Sequence, residues 1–245
     1  MVCVLALGLA AVVVRGLGAA LSPGPWRALA LRGLGATLWV TVLTVLISMP
    51  VGLLAAAWRT RFARTRRRVI ALGLAVEALS ALPPVLYGVA GYLLLVRALG
   101  LRPSLLLGAG VLSCMSLPVA TARAESALRA VPRELEEASL AMGATWAQTF
   151  VRVTLPLAAR GLGAGALAVA ARALGLGAPL VFTAGLFAGS GPLDPRGPEA
   201  VLTVQLLRAV TLPAPEAQPL AALCAALLVG LATVAALLGR QGRPK

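Results

Sequence analysis

The chain has 245 residues, 60% hydrophobic and only 12% charged, with 22 Lys and Arg against 8 Asp and Glu for a net charge of +14. Apolar residues grouped in long blocks at this composition exclude an ordinary soluble fold and point to an all-α, polytopic membrane protein. Histidine is absent, which excludes histidine acid/base chemistry and argues against zinc or haem. Cys3, Cys114 and Cys224 show neither a disulfide framework nor metal-ligand spacing.

Six blocks reach the roughly 20 apolar residues a membrane-spanning helix needs. They cover residues 2–21, 34–58, 69–97, 104–122, 161–185 and 217–238. The first contains Arg15 and ends in Gly18, Ala19 and Ala20, which could mimic a cleavage site. It lacks the basic start of a cleaved signal and reads as a retained helix, the alternatives being a cleaved signal or a true start further upstream.

Between the second and third blocks lies RTRFARTRRR, with Arg59, Arg61, Arg64, Arg66, Arg67 and Arg68, and the chain ends in Arg240, Arg243 and Lys245. Arg123, Arg129, Arg133, Arg152 and Arg160 mark the connection between the fourth and fifth blocks. Six crossings put these three regions on one side, so the positive-inside rule makes that side cytoplasmic and both termini with it. A topology signal accounts for the arginine run without adding a function; nucleic-acid or anionic-lipid binding is the alternative.

The third block carries Glu77, the sole acid inside a predicted span, and then Pro83, Pro84, Tyr87, Gly88 and Gly91. Two prolines free backbone carbonyls and bend the chain, which a bilayer tolerates only where protein or a water-filled cavity satisfies them. The bend faces such a cavity or is a kink buried against neighbours.

The connection after the fourth block is polar and patterned. Pro132 suits a first helical position, with Glu134, Glu136 and Glu137 in the early turns. Gly143 can end that helix in a left-handed conformation, and Thr145 with Gln148 matches a capping box. The spacing therefore predicts a helix, a glycine corner and a second helix that Pro156 interrupts, presenting Leu140, Met142, Trp146, Phe150 and Val151 for contacts. An amphipathic connector lying on the membrane surface is the competing reading.

In the fifth block, Gly161, Gly163 and Gly165 permit close helix packing, read here as packing within a dimer core. Arg172, near mid-helix, is costly unless it is paired or faces water. It reads as a functional residue, the alternative being an arginine that snorkels or bonds backbone carbonyls. The only lysine is Lys245, so no Walker A phosphate loop exists and ATP hydrolysis is not expected of this chain.

Glu137-Ala138-Ser139, three residues, Gly143, nine residues, then Val153, Thr154, Leu155 and Pro156 resemble the EAA loop of ABC importer permeases, with Ser for Ala and Val for Ile. The resemblance implies a type I importer permease (MetI-like) fold. It makes residues 123–160 a cytoplasmic coupling loop in which Glu137 and Ala138, with Ser139, face a partner ATPase, Gly143 sets the corner, and Leu155 and Pro156 rejoin the membrane helix. Residues 1–32 would be the first helix and its periplasmic connection, 33–240 the permease domain, and 241–245 a cytoplasmic tail.

LSALPPVLYGVAGY and ARALGLGAPLVFTAG are similar to segments of phosphate importer permeases, especially the PstA type. That family usually has Glu and Thr where this chain has Leu176 and Gly177, leaving Arg172 without a neighbouring carboxylate. Glu77 is expected to replace it. The resemblance implies a substrate path through Arg172, Glu77, Pro83, Pro84, Tyr87 and Thr183. It also implies a second permease subunit, an ATPase dimer carrying ATP and Mg, an extracytoplasmic phosphate-binding protein, membrane lipid as surroundings, and no cofactor in this chain. Molybdate, tungstate or sulfate are the alternative substrates. A secondary transporter, which would need intramembrane acids, and a non-transporting sensory or scaffold subunit are the competing classes.

Overall fold

The computed structural model describes residues 2–21, 24–62, 65–185, 200–211 and 217–241. Among them, helix α1 is Val2–Leu21, and α2 is Trp26–Ala57, carried on by a widened π-turn over Trp58–Phe62. Helices α3 (Arg66–Ala81) and α4 (Pro84–Gly91) replace the single predicted third helix, and π-helical Tyr92–Ala98 extends α4. After α5 (Leu105–Arg129) come α6 (Arg133–Ala141), α7 (Trp146–Thr149), a π-turn over Phe150–Thr154 and α8 (Leu155–Gly175). Short α9 (Ala178–Leu180) runs into a π-turn over Val181–Gly185, and α10 (Leu202–Thr211) and α11 (Ala217–Gln241) complete the order.

Four of these helical stretches are long and apolar enough to cross a bilayer, and the α3/α4 pair, bent by 94°, is either a broken fifth span or a re-entrant loop. With α1 they account for the six predicted blocks.

The expected boundaries need correction in four places, each with a physical cause. Helix α2 starts at Trp26 because its N-terminus docks on the end of α1: the Trp26 indole donates to the Ala19 carbonyl (3.2 Å) and Arg27 donates to Ala20 O. The third block breaks at Leu82 and Pro83, both with extended ψ, where two prolines supply no N–H. The fifth block ends at Gly175, since the Pro179 ring would clash with the carbonyl four residues earlier. Finally, α10 occupies chain in which no block is predicted; it is short and amphipathic, so it falls below the length of a spanning helix.

Helices α2 and α5 run parallel. Ala36 and Val40 share a core with Leu105 and Ala109 near one end, and Ala56 and Ala57 share another with Ala124 and Leu128 near the other. Small residues permit this closeness: a Cβ at Gly52 would lie 2.8 Å from the Ala120 backbone. Gly161 and Gly165 do the same for α8 on α5, meeting Ala127 and Arg123, so that glycine pattern packs helices within this chain. On the far side α1, α10 and α11 enclose Ala19, Leu202, Leu223 and Cys224, and Gln205 bonds the carbonyls of Leu29 and Ala200. Large apolar side chains such as Leu46, Ile47 and Leu54 remain exposed on α2, as expected of a surface facing lipid or another subunit.

Candidate functional site

The polar connection folds much as its residues dictate. Helix α6 begins after Pro132, which is the capping residue rather than the first helical one, with Glu134 and Glu136 in its first turn. It ends in a Schellman motif: the Gly143 N–H bonds Leu140 O (2.9 Å), the Ala144 N–H bonds Ser139 O (3.2 Å), and Gly143 takes φ +88°. Thr145 then opens α7 with a complete capping box, its Oγ1 accepting from the Gln148 N–H (3.3 Å) and its N–H donating to Gln148 Oε1 (2.8 Å).

Pro156 does not end the helix that follows. Its missing N–H falls just after the π-turn, where the Leu155 N–H already bonds Phe150 O five residues back, and the chain continues from Trp146 to Gly175 as one rod. Widening the turn accommodates the proline without a break.

On the outer surface of the loop, Glu137, Ala138 and Gly143 are exposed, as are Trp146 and Val151, and Met142 reaches 90% exposure. Ser139 is half-buried, its hydroxyl 3.0 Å from that of Thr149, while Leu155 is half-buried and Pro156 exposed. Phe150 turns inward, edge-on to Phe62 with ring centroids 5.9 Å apart.

The inner surface holds residues that sequence reasoning passed over. Glu136 is only 4% exposed; its Oε1 lies 3.0 Å from Arg61 Nε and accepts from the Thr154 hydroxyl at 2.8 Å. Arg61 also donates to Leu128 O (2.8 Å), and Arg59 pairs with Glu125 (2.8 Å). Two arginines of the run read as a topology signal are therefore structural. The available sign was that Glu136, Ser139 and Leu140 share one face of a short helix, so an acid placed there needs a cation from elsewhere.

At the other candidate region the two helix breaks meet. Tyr87, 8% exposed, donates its hydroxyl to Leu79 O at 2.5 Å. In an unbroken helix that carbonyl would accept the N–H of residue 83, which proline lacks, so the phenol stands in for the missing donor. Gly88 lets α4 rest on α9, for a Cβ there would lie 2.8 Å from Pro179 Cα. Thr183, fully buried, donates to Pro179 O (3.0 Å), while its own carbonyl accepts the Ser104 N–H at the start of α5 (3.1 Å). Pro83 is exposed and Pro84 half-buried. Arg172 sits in the last turn of α8, not at mid-helix, and is exposed; Glu77 is exposed on α3. Among the described residues no ion pair joins them. Breaks in two packed helices suit a path through a membrane, because unpaired backbone at that depth must face protein or water.

A family model for the "binding-protein-dependent transport system inner membrane component" matches residues 13–241. The chain belongs to this family of ABC importer permeases. Relatives of this permease include the "Probable ABC transporter permease protein YqgI" of Bacillus subtilis (strain 168), 30% identical over 180 residues, covering 69% of this chain and 61% of that protein. The "Phosphate transport system permease protein PstA 2" of Mycobacterium bovis is 32% identical over 198 residues, 80% of this chain and 65% of the relative. The aligned region thus spans under two thirds of the length of these relatives. Among solved structures, an inward-facing MetNI methionine ABC transporter chain superposes with a TM-score of 0.65 at 19% identity, over 91% of this chain and all of that one. At that identity the likeness establishes the fold alone, that of a multi-pass importer permease.

Proposed function

We propose that this chain is the membrane-spanning subunit of an ATP-driven importer of inorganic phosphate in the bacterial cytoplasmic membrane, with both termini cytoplasmic. The observation that carries the coupling half of the reading is the loop with Gly143 at its corner. A Schellman end and a capping box build a stiff elbow, and Met142, Trp146, Glu137 and Ala138 are left exposed on it. A stiff, apolar-tipped elbow at the arginine-rich end suits docking into a cleft of a soluble partner. That partner is an ATPase dimer holding ATP and Mg; this chain holds no nucleotide.

Nucleotide-driven closure of the ATPases brings the coupling loops together and opens the cavity outward, and hydrolysis resets it. A second permease subunit completes the path, and an extracytoplasmic binding protein delivers the anion and sets most of the specificity. The substrate half rests on relatives bearing the name phosphate transport system permease. Within this chain, Arg172 is the cation of the path, and Pro83, Pro84, Tyr87 and Thr183 shape it where α4 meets α9. Glu77 serves it from α3 without an ion pair to Arg172.

Phosphate uptake tests this in a strain lacking its own permease of this type, complemented with this chain and its cognate subunits. Wild type restores uptake, Gly143→Asp loses ATPase association because a charge then stands at the tip of the apolar elbow, and Arg172→Leu assembles but does not transport. A complex that assembles, hydrolyses ATP and imports molybdate or sulfate instead would move the substrate assignment and leave the coupling role intact.

A further inference from the structure

We propose that Arg61, Glu136 and Thr154 form the joint that holds coupling helix α6 in register with membrane helices α2 and α8, Arg61 and Glu136 acting as positioning residues. This rests on the reading of the loop as an ATPase-docking element and names the residues through which its movement enters the membrane.

The joint sits where two widened turns face each other. Arg61 and Phe62 come from the π-turn that ends α2, and Phe150 and Thr154 from the π-turn that precedes α8. One extra residue in a turn rotates later side chains by about 100°, so each π-turn sets which residues point inward. The two turns meet at the Phe62–Phe150 ring contact and, 3.0 Å and 2.8 Å from one carboxylate oxygen, at Arg61 and Thr154.

Burial distinguishes this carboxylate from its neighbours. Glu134 and Glu137 are exposed, whereas the side chains of Glu136 and Arg61 are 6% and 7% exposed. An apolar residue at 136 would bury as well but would not fix the rotation of α6. The Glu136 carboxylate is held from two sides, by the charge of Arg61, itself tied to Leu128 O, and by the hydrogen bond from the Thr154 hydroxyl. The Arg59–Glu125 pair adds a second strut from the same turn to α5. Four segments thus converge on the Arg61–Glu136 pair, the ends of α2 and α5 and helix α6 through Arg61, and the entry to α8 through Glu136.

The test uses the reconstituted complete complex with native cysteines replaced and spin labels at Leu135→Cys on α6 and Leu54→Cys on α2, both on exposed positions away from the residues read as docking the ATPase. With the joint intact, the label separation is narrow and unchanged by ATP, since α6 and α2 travel together. Glu136→Gln and Thr154→Val broaden it and make it nucleotide-dependent. In the same vesicles, ATP hydrolysed per inorganic phosphate imported rises about tenfold for Glu136→Gln and about threefold for Thr154→Val, following the loss of a charged and a neutral buried contact. Thr154→Ser, which keeps the hydroxyl, restores the wild-type ratio.

An unchanged separation in the assembled variants, or an unchanged ratio where wild type imports phosphate, overturns the joint. Should Glu136→Gln fail to assemble, the Val and Ser variants at 154 decide alone. A wild type that recruits no ATPase removes the coupling reading and the joint with it. A wild type that hydrolyses ATP but imports no phosphate sinks only the substrate reading, and the spin labels still judge the joint.

Discussion

At the loop end of the bundle, helices are held by charge and hydroxyl: Arg61 on Glu136, Thr154 on the same oxygen, Arg59 on Glu125, and a capping box at Thr145. At the two helix breaks the attachment is to bare backbone, with Gly88 on the Pro179 backbone, Gly91 beneath the Val111 side chain and the Tyr87 hydroxyl on a freed carbonyl. The difference follows from solvent. Near the membrane surface, polar side chains can be directed inward or outward and still be satisfied, so specificity is written in side chains. Deeper in the bilayer there is no water to accept an unpaired group, and contact is best made by removing side chains so that helices approach.

Two glycines sharpen this contrast because each is required for a different reason. Gly88 has ordinary helical φ and no room; Gly143 has φ +88° and open space, with nothing within 4 Å of where a Cβ would stand. The largest expected effect is therefore at the break. Gly88→Val drives two methyl groups into the Pro179 backbone, which cannot rotate away, and costs about 3 kcal/mol of overpacking. Thermal unfolding in detergent should show a clearly lowered midpoint and a poor yield of assembled complex. A midpoint equal to wild type would mean that α4 and α9 are not pressed together.

Next is Tyr87→Phe. It keeps the ring and deletes one donor, leaving Leu79 O without the partner that replaced the proline's missing N–H. Stranding this part-buried carbonyl costs about 2 kcal/mol. Phosphate uptake should fall several-fold at near-normal assembly, a pattern that separates local loosening of the bend from the global failure at Gly88.

The two regions are unequally legible in sequence. The loop's elbow follows from neighbours along the chain, Gly143 as a left-handed corner and Thr145 with Gln148 as a cap, so spacing alone determines it. The broken third helix is half-legible: Pro83 and Pro84 require a bend, while its 94° size depends on what α4 rests against. Arg61 and Glu136 are not legible because 75 positions separate them and each carries an unremarkable local role, topology signal for one and helix-dipole acid for the other. Pro156 misleads for a related reason. Proline need not interrupt a helix where the preceding turn widens, and the π-turn at Phe150–Thr154 does.

At Gly143 the cost is conformational and confined to the elbow. Gly143→Val forces a β-branched residue into the left-handed region, about 1.5 kcal/mol, and Gly143→Asn, which tolerates that region, costs much less. ATPase pulled down with the chain should fall about tenfold for Val, as about 1.4 kcal/mol per decade requires, and little for Asn. The same pair of substitutions at Gly88 should rank differently, because Asn is no smaller than Val and space is what is lacking there. Equal behaviour of Val and Asn at both positions would erase the distinction between the two regions.

The smallest expected effect is Thr145→Ala. It removes the acceptor for the Gln148 N–H but leaves the Gln148 side chain bonded back to residue 145, so only half of the capping box is lost, about 1 kcal/mol. Gly143 and the Schellman bonds still fix the corner, and α7 is continuous with α8, which limits fraying. The change should therefore appear as faster amide exchange over Trp146–Gln148 while ATPase recruitment drops less than about twofold. If recruitment instead falls as far as it does for Gly143→Val, the stiffness of the elbow resides in the α7 cap rather than in the glycine corner. The docking surface would then have to centre on Trp146 rather than Met142.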